Sequence, residues 1–288
     1  MLATLLHANV VAALAVALSR KNVRLVVREA NFFTEQKQRA VGYNAKAALL
    51  LSAWAYKRAH RVVAVSQAMA RDLRDALGLP TEKVVTIYNP VDLQALRAAA
   101  QMPVNHHWLS PTHDKLVILG IGRLEAQKDF ATLLKAFAEA KARRDCRLII
   151  LGEGSQRNQL VELARELGVA DSVDMPGFVK NPYPYLRCAD LFVLSSMHEG
   201  MPNALIEALA LGVPVVATNC RSGPAEILED GRWGRLVPVG DVPAMTRAIL
   251  ETLANPSVQQ EGAVRSVRDR FGVERVTDQY FEVLLDGH

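Results

Sequence analysis

The chain has 288 residues, of which half are hydrophobic, and its 34 basic and 30 acidic side chains give a net charge of +4. That length suits one large or two medium domains with a sizeable core. The small positive charge permits an anionic substrate and does not indicate a nucleic-acid-binding protein. Three widely spaced cysteines, Cys146, Cys188 and Cys220, form no CxxC pair, which argues against a disulfide framework or a zinc site and favours a reducing compartment.

The N-terminal segment contains an apolar run at 10–18. Its basic residues, Arg20 and Lys21, follow the run, whereas a signal peptide carries them in front. The run is also too short to cross a bilayer. We therefore expect a buried helix of a folded domain, with a signal peptide as the alternative.

Strands and helices alternate in the first third of the chain. The pattern predicts strands at 24–28, 62–65 and 84–87, and helices at 38–61 and 67–77. Ser66 is the expected N-cap of the second helix, and Gly78 its end. This alternation is typical of a parallel sheet.

The predicted helix at 38–61 carries several basic side chains. They are Arg39, Lys46, Lys57, Arg58 and Arg61. A solvated surface helix explains them, and peripheral contact with an anionic membrane surface is the second interpretation.

Residues 97–114 lack periodicity and contain two prolines, so we interpret them as the connection between two domains. Three histidines, His106, His107 and His113, lie in this stretch. No carboxylate or cysteine completes a metal-ligand set beside them, and we expect a solvated loop.

A second alternating series begins at Lys115 and predicts a doubly wound α/β domain. Its strands are predicted at 115–121, 147–152, 172–175, 190–194, 213–217 and 234–237. Its helices are predicted at 129–142, 156–167, 203–211, 224–229, 242–254 and about 257–285. In such a sheet, ligands bind beyond the carboxyl ends of the strands.

The loop after the first of these strands contains Gly120, Gly122, Arg123 and Lys128. Glycines let a ligand approach the backbone closely, and an Arg with a Lys can hold a diphosphate. A surface pair at the start of the next helix is the alternative. The third glycine of a GxGxxG fingerprint is missing, which argues against nicotinamide or flavin binding.

The stretch at 198–212 places two carboxylates, Glu199 and Glu207, close together in the chain. Glu199 is expected in the loop after the strand at 190–194. Glu207 is the one charged residue on an otherwise apolar helix that Gly212 ends, so it requires a polar partner. A capping glutamate with a structural ion pair is the alternative.

Two other loops are ambiguous. Glu153 suits either a ligand contact or a helix cap. Phe178 and Val179 offer an apolar surface to a nucleobase, or form a plain loop.

Five segments, taken in order, resemble the retaining glycosyltransferases of family 4, over about 62 to the end of the chain. They are GRLEAQKDF, LGEGSQRNQL, GFVKNPYPYL, ADLFVLSSMHEGMPNALIEALALGVPVVAT and SGPAEILEDGRWGRLVPVGD. The resemblance implies a GT-B fold of two Rossmann-like doubly wound domains, the first one incomplete here. It also implies transfer of a sugar from a nucleotide sugar with retention of configuration. No metal and no other cofactor would take part.

The resemblance also implies roles for individual residues. Arg123, Lys128 and Glu199 are similar to the catalytic set, in which the two cations hold the donor diphosphate and the carboxylate faces the transferred sugar. Glu207 would bind the ribose, and Val179 would meet the base through its main chain. The full implied donor-binding set is Gly122, Val179, Gly200, Met201, Pro202, Asn203 and Glu207.

The implied acceptor is unknown, with a lipid-linked sugar as one candidate, and no nucleic acid is expected as a partner. The implied location is the cytoplasm or the inner face of the membrane, and the implied pathway is polysaccharide or glycolipid biosynthesis. The predicted domains are a partial N-terminal domain (1–96), a linker (97–114), a nucleotide-sugar-binding domain (115–268), and a helix (269–288) that returns to the first domain.

The chain departs from the family pattern in two places. The family's glycine-rich loop has no counterpart, and Ala30 occupies the place of a common histidine. A donor-binding module with little or no turnover is therefore the principal alternative. A sugar-nucleotide epimerase or phosphorylase on the same fold is a further one.

Overall fold

The computed structural model describes residues 1–19, 21–40, 42–110, 115–256 and 260–285. The chain divides into two compact units, the first made of Met1–Pro90 with Val273–His288 and the second of Val91–Gly272. Each unit contains one parallel β-sheet with helices packed on it. The predicted α/β fold class is confirmed.

The first unit has a four-stranded sheet in which all neighbours are parallel and the spatial order follows the chain. Its strands are β1 (Leu2–Thr4), β2 (Val26–Glu29), β3 (Arg61–Ala64) and β4 (Val84–Thr86). Its helices are α1 (Leu6–Leu18), α2 (Phe33–Arg39), α3 (Tyr43–Arg58), α4 (Gln67–Leu77) and, at the end of the chain, α13 (Val273–Leu285). Val276 of α13 packs into a core cluster with Val26, Val63 and Ile87.

Helix α4 has the predicted ends. The hydroxyl of Ser66 accepts a hydrogen bond from the backbone N–H of Met69, which satisfies one of the orphan donors of the first turn. Gly78 adopts a left-handed conformation, with φ of 62°, and ends the helix.

Two predictions for the first unit were wrong in detail. The helix predicted at 38–61 is two helices, α2 and α3, because Gly42 has a φ of 89°, which a helix cannot continue through. Helix α1 forms, but only one of its faces is buried. Val11 and Leu18 are 65% and 84% exposed, whereas Val10 and Ala13 lie in the core.

The second unit has a six-stranded parallel sheet with the order β10-β9-β8-β5-β6-β7. Its strands are β5 (Leu116–Ile121), β6 (Cys146–Leu151), β7 (Val173–Gly177), β8 (Leu191–Leu194), β9 (Val215–Thr218) and β10 (Arg235–Val237). All six predicted strands are confirmed. Its helices are α5 (Leu93–Ala100), α6 (Phe130–Lys141), α7 (Arg157–Glu166), α8 (Tyr183–Cys188), α9 (Asn203–Ala210), α10 (Pro224–Ile227), α11 (Val242–Ala254) and α12 (Gln260–Phe271).

The segment interpreted as a linker begins inside helix α5. Asp92 caps this helix by accepting from the N–H of Ala95. Two side chains, one before α8 and one within it, satisfy the last carbonyls of α5. Asn181 donates to Ala99 O at 3.0 Å, and Arg187 donates to Ala100 O at 2.7 Å. Helix α5 therefore belongs to the second unit.

Two other expectations for the second half need correction. The helix predicted at about 257–285 is interrupted at Gly272, between α12 and α13. His106 does not lie in a solvated loop: its Nε2 is 2.8 Å from Asp174 Oδ2, and its side chain is 5% exposed. His113 lies outside the described residues. Among the helices that are described, none is both long and apolar enough to cross a bilayer.

Candidate functional site

The chain order of the second sheet reverses between β5 and β8. From β5 the chain proceeds outward through β6 and β7, and from β8 it proceeds outward the other way through β9 and β10. This reversal leaves a crevice at the carboxyl ends of β5 and β8, which is where doubly wound sheets bind ligands. The loop carrying Arg123 and Lys128 follows β5, and the loop carrying Glu199 follows β8. Both predicted segments therefore flank the switch point.

Three hydrogen bonds tie these two loops together. Met197 N donates to Gln127 O at 2.8 Å, and Gln127 Nε2 donates to His198 O at 2.8 Å. Ser195 Oγ donates to Lys128 O at 2.7 Å. The backbone carrying Lys128 is therefore fixed relative to the backbone carrying Glu199.

Lys128 and Glu199 form an ion pair at the switch point. Lys128 Nζ lies 2.6 Å from Glu199 Oε1, and Ser196 Oγ donates to the same oxygen at 2.6 Å. The two side chains are only 19% and 9% exposed. A charge removed from water to this degree requires a partner of opposite charge, and here Lys128 and Glu199 are each other's partner.

Glycines make room for this arrangement. The stem of Lys128 crosses Gly122 so closely that a β-carbon there would lie 3.0 Å from its Cε. At the end of β6, Gly152 has a φ of 144°, and a β-carbon would lie 1.8 Å from Gly122 O. The ends of β5 and β6 therefore approach each other to a distance that only glycine permits.

The segment Gly200 to Asn203 is held by the loop after β9. Ser222 Oγ donates to Gly200 O at 2.8 Å, and a β-carbon on Gly223 would lie 2.4 Å from Pro202 Cδ. Met201 and Pro202 are buried, while Asn203 is exposed at the start of α9. The backbone of this segment is thus fixed at the switch-point edge.

Glu207 has the polar partner that its apolar helix requires. Tyr183, the first residue of α8, donates its hydroxyl to Glu207 Oε1 at 3.3 Å. Burial raises the pKa of Glu207, and the Tyr183 hydrogen bond opposes this effect only in part. Burial, and then the Glu207 carboxylate, raise the pKa of Tyr183. The partner is a hydroxyl and not the cation of a structural ion pair.

The remaining predicted residues have fewer contacts. Arg123 is exposed on the β5–α6 loop, with its charge near Glu125. Val179 is half-buried beside Phe178, which is 78% exposed. Glu153 forms an ion pair at 3.0 Å with Arg157 of the helix that follows it.

Sequence reasoning missed four residues of this site: Gln127, Tyr183, Ser196 and Ser222. Ser196 lies directly after a predicted strand, which was a usable signal. The other three act through pairings between segments distant in the chain, and no local pattern predicts such pairings.

Two family models match the chain, one in each half. The model described as Glycosyltransferase Family 4 matches residues 3–95, and the model described as Glycosyl transferases group 1 matches residues 115–255. The second match contains the whole switch-point region.

Curated relatives share about a third of their aligned residues with the chain. An N-acetylgalactosamine-N,N'-diacetylbacillosaminyl-diphospho-undecaprenol 4-alpha-N-acetylgalactosaminyltransferase of Campylobacter jejuni is 32% identical over 205 residues, 71% of this chain and 54% of that protein. The lipopolysaccharide core biosynthesis glycosyltransferase LpsE of Rhizobium meliloti is 35% identical over 174 residues, 59% of this chain and 50% of that protein. The chain spans about half the length of these relatives.

Solved structures share the fold over nearly the entire chain. Anabaena HepE in complex with UDP superposes with a TM-score of 0.85 at 21% identity, covering 99% of this chain and 78% of that one. Sucrose-phosphate synthase of Thermosynechococcus elongatus has a TM-score of 0.79 at 20% identity, covering 100% and 74%.

The parallel sheets and these superpositions define a GT-B fold. With the two family matches, which together cover most of its length, the chain belongs to the glycosyltransferases of group 1 and family 4.

Proposed function

We propose that this protein transfers a sugar from a nucleotide-diphosphate sugar to an acceptor, with retention of anomeric configuration and without a metal or other cofactor. The observation that carries the proposal is the Lys128–Glu199 pair at the switch point of a sheet that matches the group 1 model. A nucleotide sugar places a diphosphate directly beside a sugar ring. The pair places a cation directly beside a carboxylate, which suits these two neighbours.

Lys128 and Arg123 would hold the diphosphate. Glu199 is the one described hydrogen-bond partner of Lys128 Nζ, and an ammonium group has three donors, so two remain for phosphate oxygens. Arg123 is exposed on the same loop and offers a planar fork to the same group. A cation already positioned where negative charge develops on the leaving diphosphate stabilises the transition state without reorganisation. These two side chains would supply the positive charge that a divalent ion supplies in other phosphate sites.

Glu199 would accept hydrogen bonds from the hydroxyls of the transferred sugar. Both of its described hydrogen bonds end on Oε1, so among the described residues Oε2 has no donor. The backbone from Gly200 to Asn203 would contact the sugar and the phosphate. In the transfer, the anomeric carbon loses its bond to the diphosphate oxygen and gains one to the acceptor oxygen on the same face, while the proton of the acceptor hydroxyl passes to the departing diphosphate. Glu199 acts there as a binding group, with no covalent intermediate assigned to it.

Glu207 would bind the ribose, and Val179 the base. Glu207 lies in the second turn of α9, where its carboxylate accepts a hydrogen bond from Tyr183 and retains further lone pairs for ribose hydroxyls. The half-buried Val179 and the exposed Phe178 would offer apolar surface and backbone groups to the base.

The acceptor would be a lipid-linked sugar, and the protein would work at the inner face of the membrane. Support comes from the Campylobacter jejuni relative, whose name includes a diphospho-undecaprenol substrate. Lys46, Lys57 and Arg58 are exposed on α3, on the segment predicted to touch an anionic membrane surface.

Three measurements on one preparation test the proposed function. A thermal-shift panel of nucleotide sugars identifies the donor, because a bound donor raises apparent stability. Sugar transfer and donor hydrolysis are then measured with that donor. We expect transfer to exceed hydrolysis. Donor binding with neither reaction would be the behaviour of a donor-binding module, and hydrolysis indifferent to acceptors would also contradict the proposal.

A further inference from the structure

The first unit has a cavity at the amino-terminal ends of its strands. Its volume is about 660 Å³, within the range of roughly 300–1,000 Å³ typical of small-molecule sites. Three of the residues that line it come just before strands of the sheet. Arg24 precedes β2, His60 precedes β3 and Lys83 precedes β4. The cavity therefore lies at the edge of the first sheet that is opposite the carboxyl ends of its strands.

The described residues that line the cavity include cations and no carboxylate. The cations are Arg24, Arg58 and Lys83, with His60 beside them. Among the described residues, no ion pair joins Arg24, Arg58 or Lys83 to an acidic side chain. Lys83 Nζ donates to the carbonyl of Lys57, and Arg58 lies 5.5 Å from the centre of the Trp54 ring.

Helix termini offset only part of this charge. Helices α1 and α3 both end near the cavity, and a helix C-terminus is equivalent to roughly −0.5 charge. Two termini therefore balance about one of the three cations. Burial, and then the neighbouring charge of Arg61, lower the pKa of Lys83.

The lining also includes apolar side chains. Val16, Leu25 and Leu284 contribute to it, from α1, the segment before β2, and α13. A cavity lined by both cations and aliphatic side chains fits a ligand with an oxyanion attached to an apolar or carbon-rich body.

We propose that this cavity is a second anion site, which binds a phosphate group through Arg24, Arg58 and Lys83. Phosphate oxygens match the donors that a guanidinium and an ammonium group present. The phosphate belongs either to a free phosphate ester or to the headgroup of an anionic phospholipid. The site lies in the first unit and does not rest on the proposed sugar transfer.

The test compares two double variants with the same loss of charge. Arg24→Gln/Lys83→Gln removes two cations from the cavity and leaves an amide that can still donate to the Lys57 carbonyl. Lys37→Gln/Arg71→Gln removes two exposed cations of α2 and α4 that neither line the cavity nor lie on the segment proposed to touch a membrane. Inorganic phosphate is titrated by thermal shift against sodium chloride of equal ionic strength. Vesicles of phosphatidylcholine, with and without phosphatidic acid, are tested by flotation. The phosphate titration is repeated in Lys128→Met, which disables the phosphate site proposed in the second unit.

We expect the cavity variant to lose a saturable response that the Lys37→Gln/Arg71→Gln variant and Lys128→Met retain. Loss of the inorganic phosphate response assigns a free phosphate ester as ligand, whereas loss of vesicle binding alone assigns a lipid headgroup. Each supports the site. Two results would overturn it: responses equal in the two double variants, or no response of the wild type to phosphate or to vesicles beyond that to chloride. Circular dichroism of each variant shows whether it is folded.

Discussion

Lys128 is the residue on which the proposed chemistry most depends. Its stem lies across Gly122, its carbonyl is bonded by Ser195, and its ammonium group is held by Glu199. Side chain and backbone are therefore both positioned before a substrate arrives. Such preorganisation is what makes a cation effective at a developing negative charge.

Replacing Lys128 with Met retains most of the packing over Gly122 and removes the charge. We expect donor turnover to fall by about 100-fold or more, because a lost preorganised charge typically costs that much. The control is Lys135→Met, an exposed lysine on α6 of the same unit. Steady-state kinetics with the identified donor gives the answer, and a Lys128→Met enzyme as active as the Lys135→Met control would show that the ammonium group has no part in the reaction.

Glu207 leads to a prediction about pH. Burial raises its pKa above the ordinary value of 4.5 in the folded protein. Its contribution to stability is therefore full below that value, and is lost as the pH rises through the raised pKa. Nucleotide binding has the opposite dependence, because the ionised carboxylate is the better acceptor of ribose hydroxyl donors. Affinity should fall as the pH is lowered through the raised pKa.

Two variants isolate this effect in calorimetric titrations with the nucleotide. Glu207→Gln should bind more weakly at neutral pH and should lack the acid decline that is due to this carboxylate. Tyr183→Phe removes the hydrogen bond that lowers the Glu207 pKa, so the decline should move to higher pH. If wild type and Glu207→Gln decline identically, the nucleotide itself is titrating and the ribose role of Glu207 is excluded.

At the scale of elements, the loop ends of the second sheet depend on glycine. An alanine at Gly152 would place its β-carbon 1.8 Å from Gly122 O, on a backbone with φ of 144°. The strands must then separate, and we expect a loss of stability of at least about 3 kcal/mol. Gly168→Ala is the matched control, since its φ is 68° and nothing lies within 4 Å.

That control should lose about 1 kcal/mol, the cost of the left-handed conformation alone. Urea unfolding of both variants measures the difference. Equal losses would mean that the close approach of β5 and β6 at Gly152 does not exist in solution.

The helices and strands also show which sequence patterns were sufficient to predict the secondary structure. In the second sheet, β5, β8 and β9 are nearly continuous apolar runs ended by glycine or polar residues, and all six strands were predictable. The helix ends at Ser66, Gly78 and Gly212 were predictable because their chemistry is local. Helix α5 and the break at Gly42 were not. Helix α5 is stabilised by the side chains of Asn181 and Arg187, which donate to its last carbonyls. A glycine in a helical pattern does not by itself indicate a break.

The same distinction applies to the candidate site. That the loops of Lys128 and Glu199 meet follows from the strand order, which the alternating pattern anticipates. The partner of Glu207 does not follow, because Tyr183 reaches it from a helix that the sequence pattern did not predict. Long-range side-chain pairing is settled by packing, and one sequence carries little information about it.

At the scale of the whole molecule, the first unit is assembled from both ends of the chain. Helix α13 follows the second unit in sequence but places Val276 in the core of the first sheet, with Val26, Val63 and Ile87. The stability of the first unit therefore depends on residues that follow the second unit in the chain.

Val276→Ala should destabilise the first unit by about 2 kcal/mol, since it leaves a cavity in that core. Thr277→Ala, at an exposed position of the same helix, is the control. Limited proteolysis with mass spectrometry should show faster cleavage within 1–90 for Val276→Ala only, with nucleotide affinity unchanged. Identical cleavage patterns for the two variants would contradict the assignment of α13 to this core.

The central claim is that a nucleotide sugar binds at the carboxyl edge of the second sheet, between β5 and β8. Amide hydrogen exchange, with and without the nucleotide selected by the thermal-shift panel, locates the ligand directly. We predict slower exchange at 122–129, 178–183 and 196–207 when the nucleotide is bound. Unchanged exchange at 122–129 and 196–207 under saturating nucleotide would contradict the account.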